Sequence, residues 1–331
     1  MKILHISDGG LPDPRVERMA MTMKKEGHEL LFLGGREVRG QHLSVFSKTR
    51  TEPMGIGVSI THNPRVKRRW LKAIREFNPD IVHAHNIVAG HYLLDMEIPA
   101  ILDDHENLSA QSFVFKERPF IRKMAATTLV LSFPKWERKL ARRFPVLTVS
   151  EGMANYYRKY SKRVGVTINT PYLSEVEWIV NPSSREGLVY MGNDFNWPRF
   201  SPWRDMNGIR DLLEFNIVSG FTHDEMMTEL SKHKIGLVPF RPHPYQKMSS
   251  LNKMYEYLHA GLQVVLTANF VELLDEIPYI HTFTDYSDIV ETIDSVPETD
   301  PAEIMKFARE NFIWDKNEDI IRKAYSQAMN L

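Results

Sequence analysis

The chain has 331 residues, 43% hydrophobic and 25% charged, which excludes a disordered, collagen-like or coiled-coil protein. It contains no cysteine, which excludes disulfides, thiol catalysis and zinc bound by cysteine. No uncharged apolar stretch reaches 18 residues and the start lacks a secretory signal, so we expect a cytoplasmic protein without a membrane-spanning helix.

The net charge of zero conceals opposite charges in the two halves. Residues 1–166 hold 28 Lys and Arg against 17 Asp and Glu, whereas residues 167–331 hold 14 against 25. The basic half could face phosphate, anionic lipid or nucleic acid, or the two domains could attract each other across a cleft. Composition leaves both interpretations open.

Short apolar runs alternate with helical stretches in the first half. Runs rich in Ile, Leu and Val predict buried strands, and the stretches between them predict helices at 14–27 and 64–77. The predicted strands are 3–6, 30–33, 81–83, 100–102 and 146–149. Such alternation is typical of an open parallel α/β sheet with right-handed crossovers.

The second half repeats this pattern after a short predicted strand at 166–168 and the loop Asn169-Thr170-Pro171. Its predicted strands are 188–191, 215–218, 235–238, 264–267 and 280–283. Its predicted helices are 222–232, 250–260, 285–295, 302–311 and 316–329. Ligands of such sheets bind beyond the carboxyl ends of the strands.

Two segments are suited to phosphate. Gly9 and Gly10 follow the first strand, where their N–H groups could hold a phosphate or form a plain tight turn. Residues 249–261 open a predicted helix with Ser, Ser and Asn at the capping positions, where free N–H groups favour an anion. Lys253 in the first turn opposes the helix dipole, which indicates an anionic ligand, and Glu256 could accept the ribose hydroxyls. An ordinary capped helix is the alternative.

Three histidines lie near two strand ends. His83 and His85 are two residues apart on one strand, and His105 follows the next. With Asp103, Asp104 or Glu106 they would suit a metal hydrolase, whereas structural histidines satisfied within the fold are the alternative.

Basic residues cluster in 65–75, 116–123 and 135–143. The sequence FPKWERKLARRF predicts a basic amphipathic helix that could lie on an anionic membrane. The alternative is a solvated helix whose apolar stripe faces the core.

The stretch LNKMYEYLHAGLQVVLT resembles the "pNKlfEYlaaGkPVv" motif of the retaining glycosyltransferases of family four, with Gln263 at the usual proline. It is similar to the "NK…EY" subgroup. Further segments resemble the family in its own order and cover nearly the whole chain: DPRVERMAMTMKKEGHELLFL, PDIVHAHN, PAILDDHEN, VLTVSEGM, GFTHDEMMTELSKHKIGLVPF and FARENFIWDKNEDIIRKAYSQA.

The resemblance implies the GT-B fold, two Rossmann-like domains whose parallel sheets face a central cleft. Residues 1–166 would form the acceptor-side domain and 167–312 the nucleotide-sugar domain. Residues 313–331 would form a C-terminal helix that packs back on the first domain.

The resemblance also implies a hexosyltransferase of polysaccharide or glycolipid biosynthesis. It would move a sugar, with retention, from a nucleotide-sugar to a glycan or lipid-linked acceptor, and a UDP-sugar is favoured over a GDP-sugar. No metal, other cofactor or nucleic acid is expected, and the departing phosphate would take the acceptor's proton. The enzyme would be cytoplasmic, with peripheral contact to the inner membrane face as a further expectation.

Site residues follow from the same motifs. His105 would be the catalytic residue beside the donor sugar, and Glu256 would hold the ribose. The donor-binding set is Gly9, Gly10, Gly192, Arg241, Ser249, Ser250, Leu251, Asn252, Lys253 and Glu256. The acceptor side would hold Asp13, Arg15, His85 and Glu106, although Arg15 could equally pair with an acid on its own helix.

Two departures from the family leave alternatives open. Met248 stands eight residues before Glu256, where the family often has a second glutamate. The usual Arg and Lys after the first strand of the second domain are missing; Arg199 and Arg204 lie at other spacings, and Arg241, Lys247 or Lys253 are the available substitutes. A non-catalytic nucleotide-sugar-binding homologue or partner subunit, a GT-B nucleotide-sugar 2-epimerase, and nucleic-acid binding through the basic half are the alternatives.

Overall fold

The computed structural model describes residues 1–54, 63–109, 120–182, 184–192, 206–268 and 277–330, with only the backbone for 120–131. The chain divides into two compact units, one of Met1–Ile168 with Asn317–Leu331 and one of Asn169–Lys316. The sequence placed these boundaries at 166 and 312. Each unit has its own parallel sheet and its own core.

The first unit contains a seven-stranded parallel sheet in the order β3-β2-β1-β4-β5-β6-β7. Its strands are β1 (Lys2–Ser7), β2 (Glu29–Gly34), β3 (Lys48–Thr51), β4 (Ile81–His85), β5 (Ala100–Asp104), β6 (Val146–Thr148) and β7 (Val164–Val166). Strand β7 begins two residues before the predicted 166–168. The sequence missed β3, whose residues Lys-Thr-Arg-Thr lie at the sheet edge and lack the apolar pattern of a buried strand.

The helices described within residues 1–168 are α1 (Pro14–Lys24), α2 (Pro64–Phe77), α3 (Asn86–Gly90), α4 (Phe120–Arg143) and α5 (Glu151–Arg158). Helix α2 has the predicted bounds because its ends are encoded locally. Asn63 caps it by accepting from the Arg65 N–H, Pro64 occupies its first turn, and Asn78 ends it with φ 49°.

The basic amphipathic stretch of α4 turns its apolar side to the core. Phe133, Leu140 and Phe144 are buried in the core of the first unit, and Trp136 packs against it. This apolar stripe is therefore not available for insertion into a membrane, which corrects that part of the membrane hypothesis. The side chains of 116–123 lie outside the described residues. Among the described helices, none combines the length and apolarity needed to span a membrane.

The second unit contains a five-stranded parallel sheet in the order β12-β11-β10-β8-β9. Its strands are β8 (Leu188–Met191), β9 (Asn216–Val218), β10 (Ile235–Val238), β11 (Gln263–Thr267) and β12 (Ile280–Phe283). Its helices are α6 (Leu173–Val176), α7 (Met206–Arg210), α8 (His223–Leu230), α9 (Asn252–His259), α10 (Ile289–Asp294) and α11 (Pro301–Asn311). Arg199 and Arg204 lie outside the described residues.

The last helix, α12 (Glu318–Met329), returns to the first unit, where it packs against β5 and α1. Its Tyr325 is buried and its hydroxyl lies 2.8 Å from Nδ1 of His83. Ion pairs from Lys25 to Glu318 and from Arg322 to Glu26 tie its outer side to the first unit.

Candidate functional site

A histidine cluster, which we define as His5, His83, His85 and His105 with Asp103 and Arg15, lies at the carboxyl ends of β1, β4 and β5. Strand register brings it together, because His5 pairs with His83 and His85 pairs with Asp103. Alternate residues of a strand face the same side, so His83 and His85 share one face of the sheet. The rings of His5, His83 and His85 are stacked 4.7–5.2 Å apart and fully buried.

Asp103 is the anion of the histidine cluster, and Arg15 is its main partner. Arg15 Nε and Nη2 donate to the two carboxylate oxygens of Asp103 at 3.1 and 2.6 Å, and the guanidinium also donates to the backbone oxygen and hydroxyl of Thr167. Burial alone would raise the pKa of Asp103, but the Arg15 charge and hydrogen bonds from His105 and His85 hold it well below its usual range. Arg15 therefore pairs with an acid on β5 and not with one on its own helix. Its side chain is buried, so it is not exposed to an acceptor.

The hydrogen bonds fix the tautomers of two histidines. Burial lowers the pKa of both His5 and His85, which makes them neutral at pH 7. His85 Nδ1 lies 3.0 Å from the ionised Asp103 carboxylate and must donate to it, so His85 Nε2 accepts from His5 Nδ1 at 2.9 Å. His85, predicted for the acceptor side, has both ring nitrogens engaged inside the sheet.

His105 is the member of the histidine cluster that reaches the surface, with 18% of its side chain exposed. Its Nδ1 lies 3.5 Å from Asp103 Oδ2, and its backbone N–H donates to Asn86. Burial lowers the pKa of His105, but the Asp103 carboxylate outweighs burial and raises it to about 9. The Asp103 carboxylate thus favours the protonated ring of His105, while the side-chain amide nitrogen of Asn86 lies 3.4 Å from the other ring nitrogen, Nε2.

The donor atoms of the histidine cluster do not suit a metal ion. Two groups of three residues have donor atoms within 4.8 Å of one another. One group is His5, His83 and His85, and the other is His85, Asp103 and His105. However, both oxygens of Asp103 already accept from the Arg15 guanidinium, whose positive charge would repel a cation. The three buried rings lie within 10–26° of parallel rather than converging on one point.

Asp104 faces the other side of β5 and belongs to a second group of buried acids. The Tyr157 hydroxyl donates to Asp104, while Glu137 accepts from the Ser109 N–H and hydroxyl and from Tyr156. Burial and the neighbouring Glu137 carboxylate raise the pKa of Asp104 to about 7. This pair holds α4 and α5 to β5.

Three of the remaining sequence-predicted residues of the first unit, Gly9, Gly10 and Asp13, have local structural roles. Asp13 caps α1 by accepting from the Arg15 and Val16 N–H groups at 3.1 and 3.2 Å. The Gly9 N–H donates to Ser7, and a Cβ on Gly10 would lie 2.1 Å from the Glu37 backbone oxygen. Glycine is thus required for the close packing of two loops. Glu106, the last predicted acceptor-side residue, is exposed.

In the second unit, α9 begins later than the sequence predicted. Its first residue is Asn252, and Leu251 precedes it without a side-chain cap. Ser249 and Ser250 therefore do not cap α9. Ser249 directly follows the 3-10 turn Pro244–Met248, and its hydroxyl donates to the Tyr245 backbone oxygen. The apolar Leu251 side chain offers no acceptor, but the Lys253 N–H donates to Asn252 Oδ1 at 3.0 Å and the Met254 N–H donates to the Leu251 backbone oxygen at 3.1 Å. The helix dipole still favours an anion at this end of α9.

Tyr257 fixes α9 to the sheet. Its hydroxyl donates to the Leu237 backbone oxygen at 3.0 Å and accepts from the Met191 N–H at 2.7 Å. A Cβ on Gly236 would lie 2.3 Å from the Tyr257 ring, so glycine is required beneath it. Gly261 ends the helix with φ +79°, where only glycine is unstrained.

Two of the three charged residues in the predicted donor-binding set, Glu256 and Lys253, lie on α9 with neighbours that position them. The buried Glu256 carboxylate contacts His223 Nε2 at 3.2 Å, and the Lys253 ammonium lies 5.9 Å from the centre of the Tyr190 ring. Gly192, directly after β8, has φ +143°, and a Cβ there would lie 3.3 Å from Lys253. The structure thus brings Gly192 and Lys253 together at the carboxyl end of β8, with Glu256 one turn further along α9. Arg241 stacks 4.5 Å from the centre of the Tyr286 ring.

Sequence reasoning missed His223, Tyr257, His5 and Tyr325, and treated Asp103 only as a possible metal ligand. His223 and Tyr325 lie in segments that resemble the family, but their partners come from other elements and neither segment signals the contact. Asp103 had a signal in the two acids that end a buried strand, since a buried charge requires a partner.

Comparisons with known proteins bear on the fold and on the first unit. Residues 15–168, less than half of the chain, match the family described as Glycosyltransferase Family 4. No curated protein matches. A sucrose-phosphate synthase from Thermosynechococcus elongatus is 14% identical with a TM-score of 0.66, covering 99% of this chain and 98% of that one.

Two further solved structures are similar over the full length. HepE of Anabaena, in complex with UDP and glucose, is 13% identical with a TM-score of 0.65, covering 99% of this chain and 100% of its own. WaaG, a glycosyltransferase involved in lipopolysaccharide biosynthesis, is 13% identical with a TM-score of 0.63, covering 98% of both chains. At identities this low, structural similarity shows the fold alone. The TM-scores of 0.63–0.66 confirm the predicted GT-B fold. The family match and this fold together support a glycosyltransferase similar to Family 4.

Proposed function

We propose that the protein is a retaining glycosyltransferase that moves a hexosyl group from a nucleotide-sugar to a glycan or lipid-linked acceptor. The observation that carries the proposal is the position of α9, whose Lys253 lies beside Gly192 at the carboxyl end of β8 and whose buried Glu256 follows one turn later. This edge of a parallel sheet is where ligands of open α/β domains bind. The family match over residues 15–168 supports the same class of reaction.

Each group of this arrangement has a role in the proposed reaction. The bond between the anomeric carbon and the diphosphate oxygen breaks, the acceptor oxygen bonds on the same face, and its proton moves to the departing phosphate. Negative charge builds on the diphosphate, and the dipole of α9 with the Lys253 ammonium would neutralise it. Glu256 would hold the ribose, and His105 would position the reacting groups. HepE is seen with UDP, so a UDP-sugar is the first donor to test.

Nucleotide binding tests the donor site. Thermal unfolding is followed with UDP, GDP, dTDP, ADP and CMP, for the wild type and Glu256→Gln, with His281→Gln as a matched substitution elsewhere in the second unit. At 100 times its dissociation constant a ligand stabilises by about 2.7 kcal/mol. One nucleotide should stabilise the wild type and the control but not Glu256→Gln. If no nucleotide stabilises the wild type, the proposal is wrong.

Met248 favours the alternative of a non-catalytic nucleotide-sugar-binding protein. It ends the 3-10 turn before α9, so a thioether stands where the family often has a carboxylate. Release of UDP from UDP-glucose, followed with a panel of glycan acceptors, separates the alternatives. Binding without release with any acceptor favours the non-catalytic protein, and conversion of the free donor without an acceptor indicates an epimerase.

Peripheral membrane contact is a further part of the proposal for lipid-linked acceptors. It would depend on charge, because α4 exposes Lys135, Arg138, Lys139 and Arg142 while its apolar residues face the core. Co-sedimentation with anionic vesicles, compared with neutral ones, tests this contact at low and high salt.

A further inference from the structure

The carboxylate proposed to hold the ribose has a partner that no motif predicted. His223 is the first residue of α8, and its Nε2 lies 3.2 Å from Oε2 of Glu256 on α9. The two side chains are only 7% and 6% exposed. A hydrogen bond to a carboxylate removed from solvent is strong and restricts the rotation of that carboxylate.

The start of α8 does not need the His223 side chain. Thr222 caps the helix by accepting from the Glu225 N–H, and Glu225 accepts in return from the Thr222 N–H. The imidazole instead turns toward acids. Besides Glu256 it faces Asp224 at 3.8 Å, and a carboxylate oxygen of Glu175 lies within 4.8 Å of a ring nitrogen.

We propose that His223 is a positioning residue of the donor site, which holds the Glu256 carboxylate in the orientation that accepts the ribose hydroxyls. The inference rests on the proposed function. A carboxylate has acceptor capacity for about four hydrogen bonds, so the bond from His223 leaves room for two hydroxyl hydrogens. Without His223 the carboxylate loses this bond and is held less firmly, and ordering it on binding weakens the complex.

The test compares His223→Ala and His223→Gln with the wild type, using two probes in isothermal titration calorimetry. The probes are UDP and 2′,3′-dideoxy-UDP, which lacks both ribose hydroxyls; GDP and its dideoxy analogue replace them if guanine is the base preferred in the nucleotide panel. His223→Ala should weaken UDP binding about tenfold, the size expected for one hydrogen bond to a charged group, and leave dideoxy-UDP binding unchanged. His223→Gln should restore most of the affinity, because the amide N–H of the introduced glutamine replaces the lost donor.

Each other outcome overturns the inference. If both probes bind equally more weakly, His223 only supports the fold. If UDP binds more tightly, His223 competes with the ribose. If neither affinity changes, the orientation of Glu256 does not depend on His223. Failure of the proposed function looks different, because the wild type would then bind UDP and dideoxy-UDP equally or neither of them. His281→Ala, a partly buried histidine in contact with Gln263 on β11, is the matched control and should alter neither affinity.

Discussion

The buried Asp104 carboxyl should make the stability of the first unit depend on pH, and Asp104→Asn should remove most of that dependence. Its pKa is about 7 in the folded protein because burial and Glu137 disfavour the charge, against an ordinary value of 3.8. A raised folded-state pKa in an acid contributes stability that is fully present below pH 4. That stability is lost as the pH rises toward 7, since the unfolded chain ionises first.

The magnitude follows from the difference between the two pKa values. A difference of about three pH units corresponds to about 4 kcal/mol between pH 4 and pH 7, at about 1.36 kcal/mol per unit. Glu137 is the largest charged contributor, so part of this free energy belongs to the pair rather than to Asp104. At pH 8 Asp104→Asn should therefore be more stable than the wild type by about 2–4 kcal/mol. Near pH 4 the two proteins should differ little, because the amide resembles the neutral acid.

Hydrogen exchange read by mass spectrometry is the suitable assay, because a chain of two units need not unfold in one step. Peptides from β5 and α5 report on the first unit between pH 4 and pH 8, after correction for intrinsic exchange. Glu137→Gln should reduce the slope in part. Asp319→Asn, whose side chain is 95% exposed, is the matched control and should leave it unchanged. A wild type whose opening free energy is constant over this range would refute the reasoning.

Three further substitutions test contacts that fix the two sites. Arg15→Met leaves the Asp103 carboxylate buried without its cation and should destabilise the first unit by about 3–5 kcal/mol, read by the same exchange assay. Tyr257→Phe removes two buried hydrogen bonds between α9 and the sheet and should cost about 1–3 kcal/mol in the second unit, read as urea-induced loss of its exchange protection. Gly10→Ala places a methyl group 2.1 Å from the Glu37 oxygen and should lower the melting temperature by several degrees in differential scanning calorimetry, whereas Gly40→Ala, with open space around its Cβ, should not.

Much of the fold was predictable because local sequence patterns indicate most of its strands and helices. Parallel strands buried on both faces read as short apolar runs, and this signal located every strand of the second unit to within a residue. The edge strand β3 could not be found this way, since solvent on its outer side removes the need for apolar residues. The start of α9 was misplaced for a different reason. Ser249, Ser250 and Asn252 can each cap a helix, but the 3-10 turn before them places the helix start at Asn252, where no side chain caps it.

The candidate sites were predictable where one segment carries them and not where several elements meet. Lys253 and Glu256 share a helix, so their spacing alone put both near the same strand end. The bond from His223 to Glu256 joins helices separated by β10, and nothing in either segment indicates it. The same holds for Arg15 and Asp103, which lie 88 residues apart and were each assigned to other partners.

The histidine cluster shows why its members cannot be assigned separate roles. Asp103 holds Arg15, fixes the tautomer of His85 and raises the pKa of His105 through the same two oxygens. Replacing Asp103 would therefore take the carboxylate away from a buried guanidinium and lower the pKa of His105 at the same time. A loss of activity in such a variant would report on both effects. Substitution of His105 leaves the ion pair between Arg15 and Asp103 intact. Such a variant therefore tests the role of the His105 side chain toward substrate without removing the contact that stabilises the sheet.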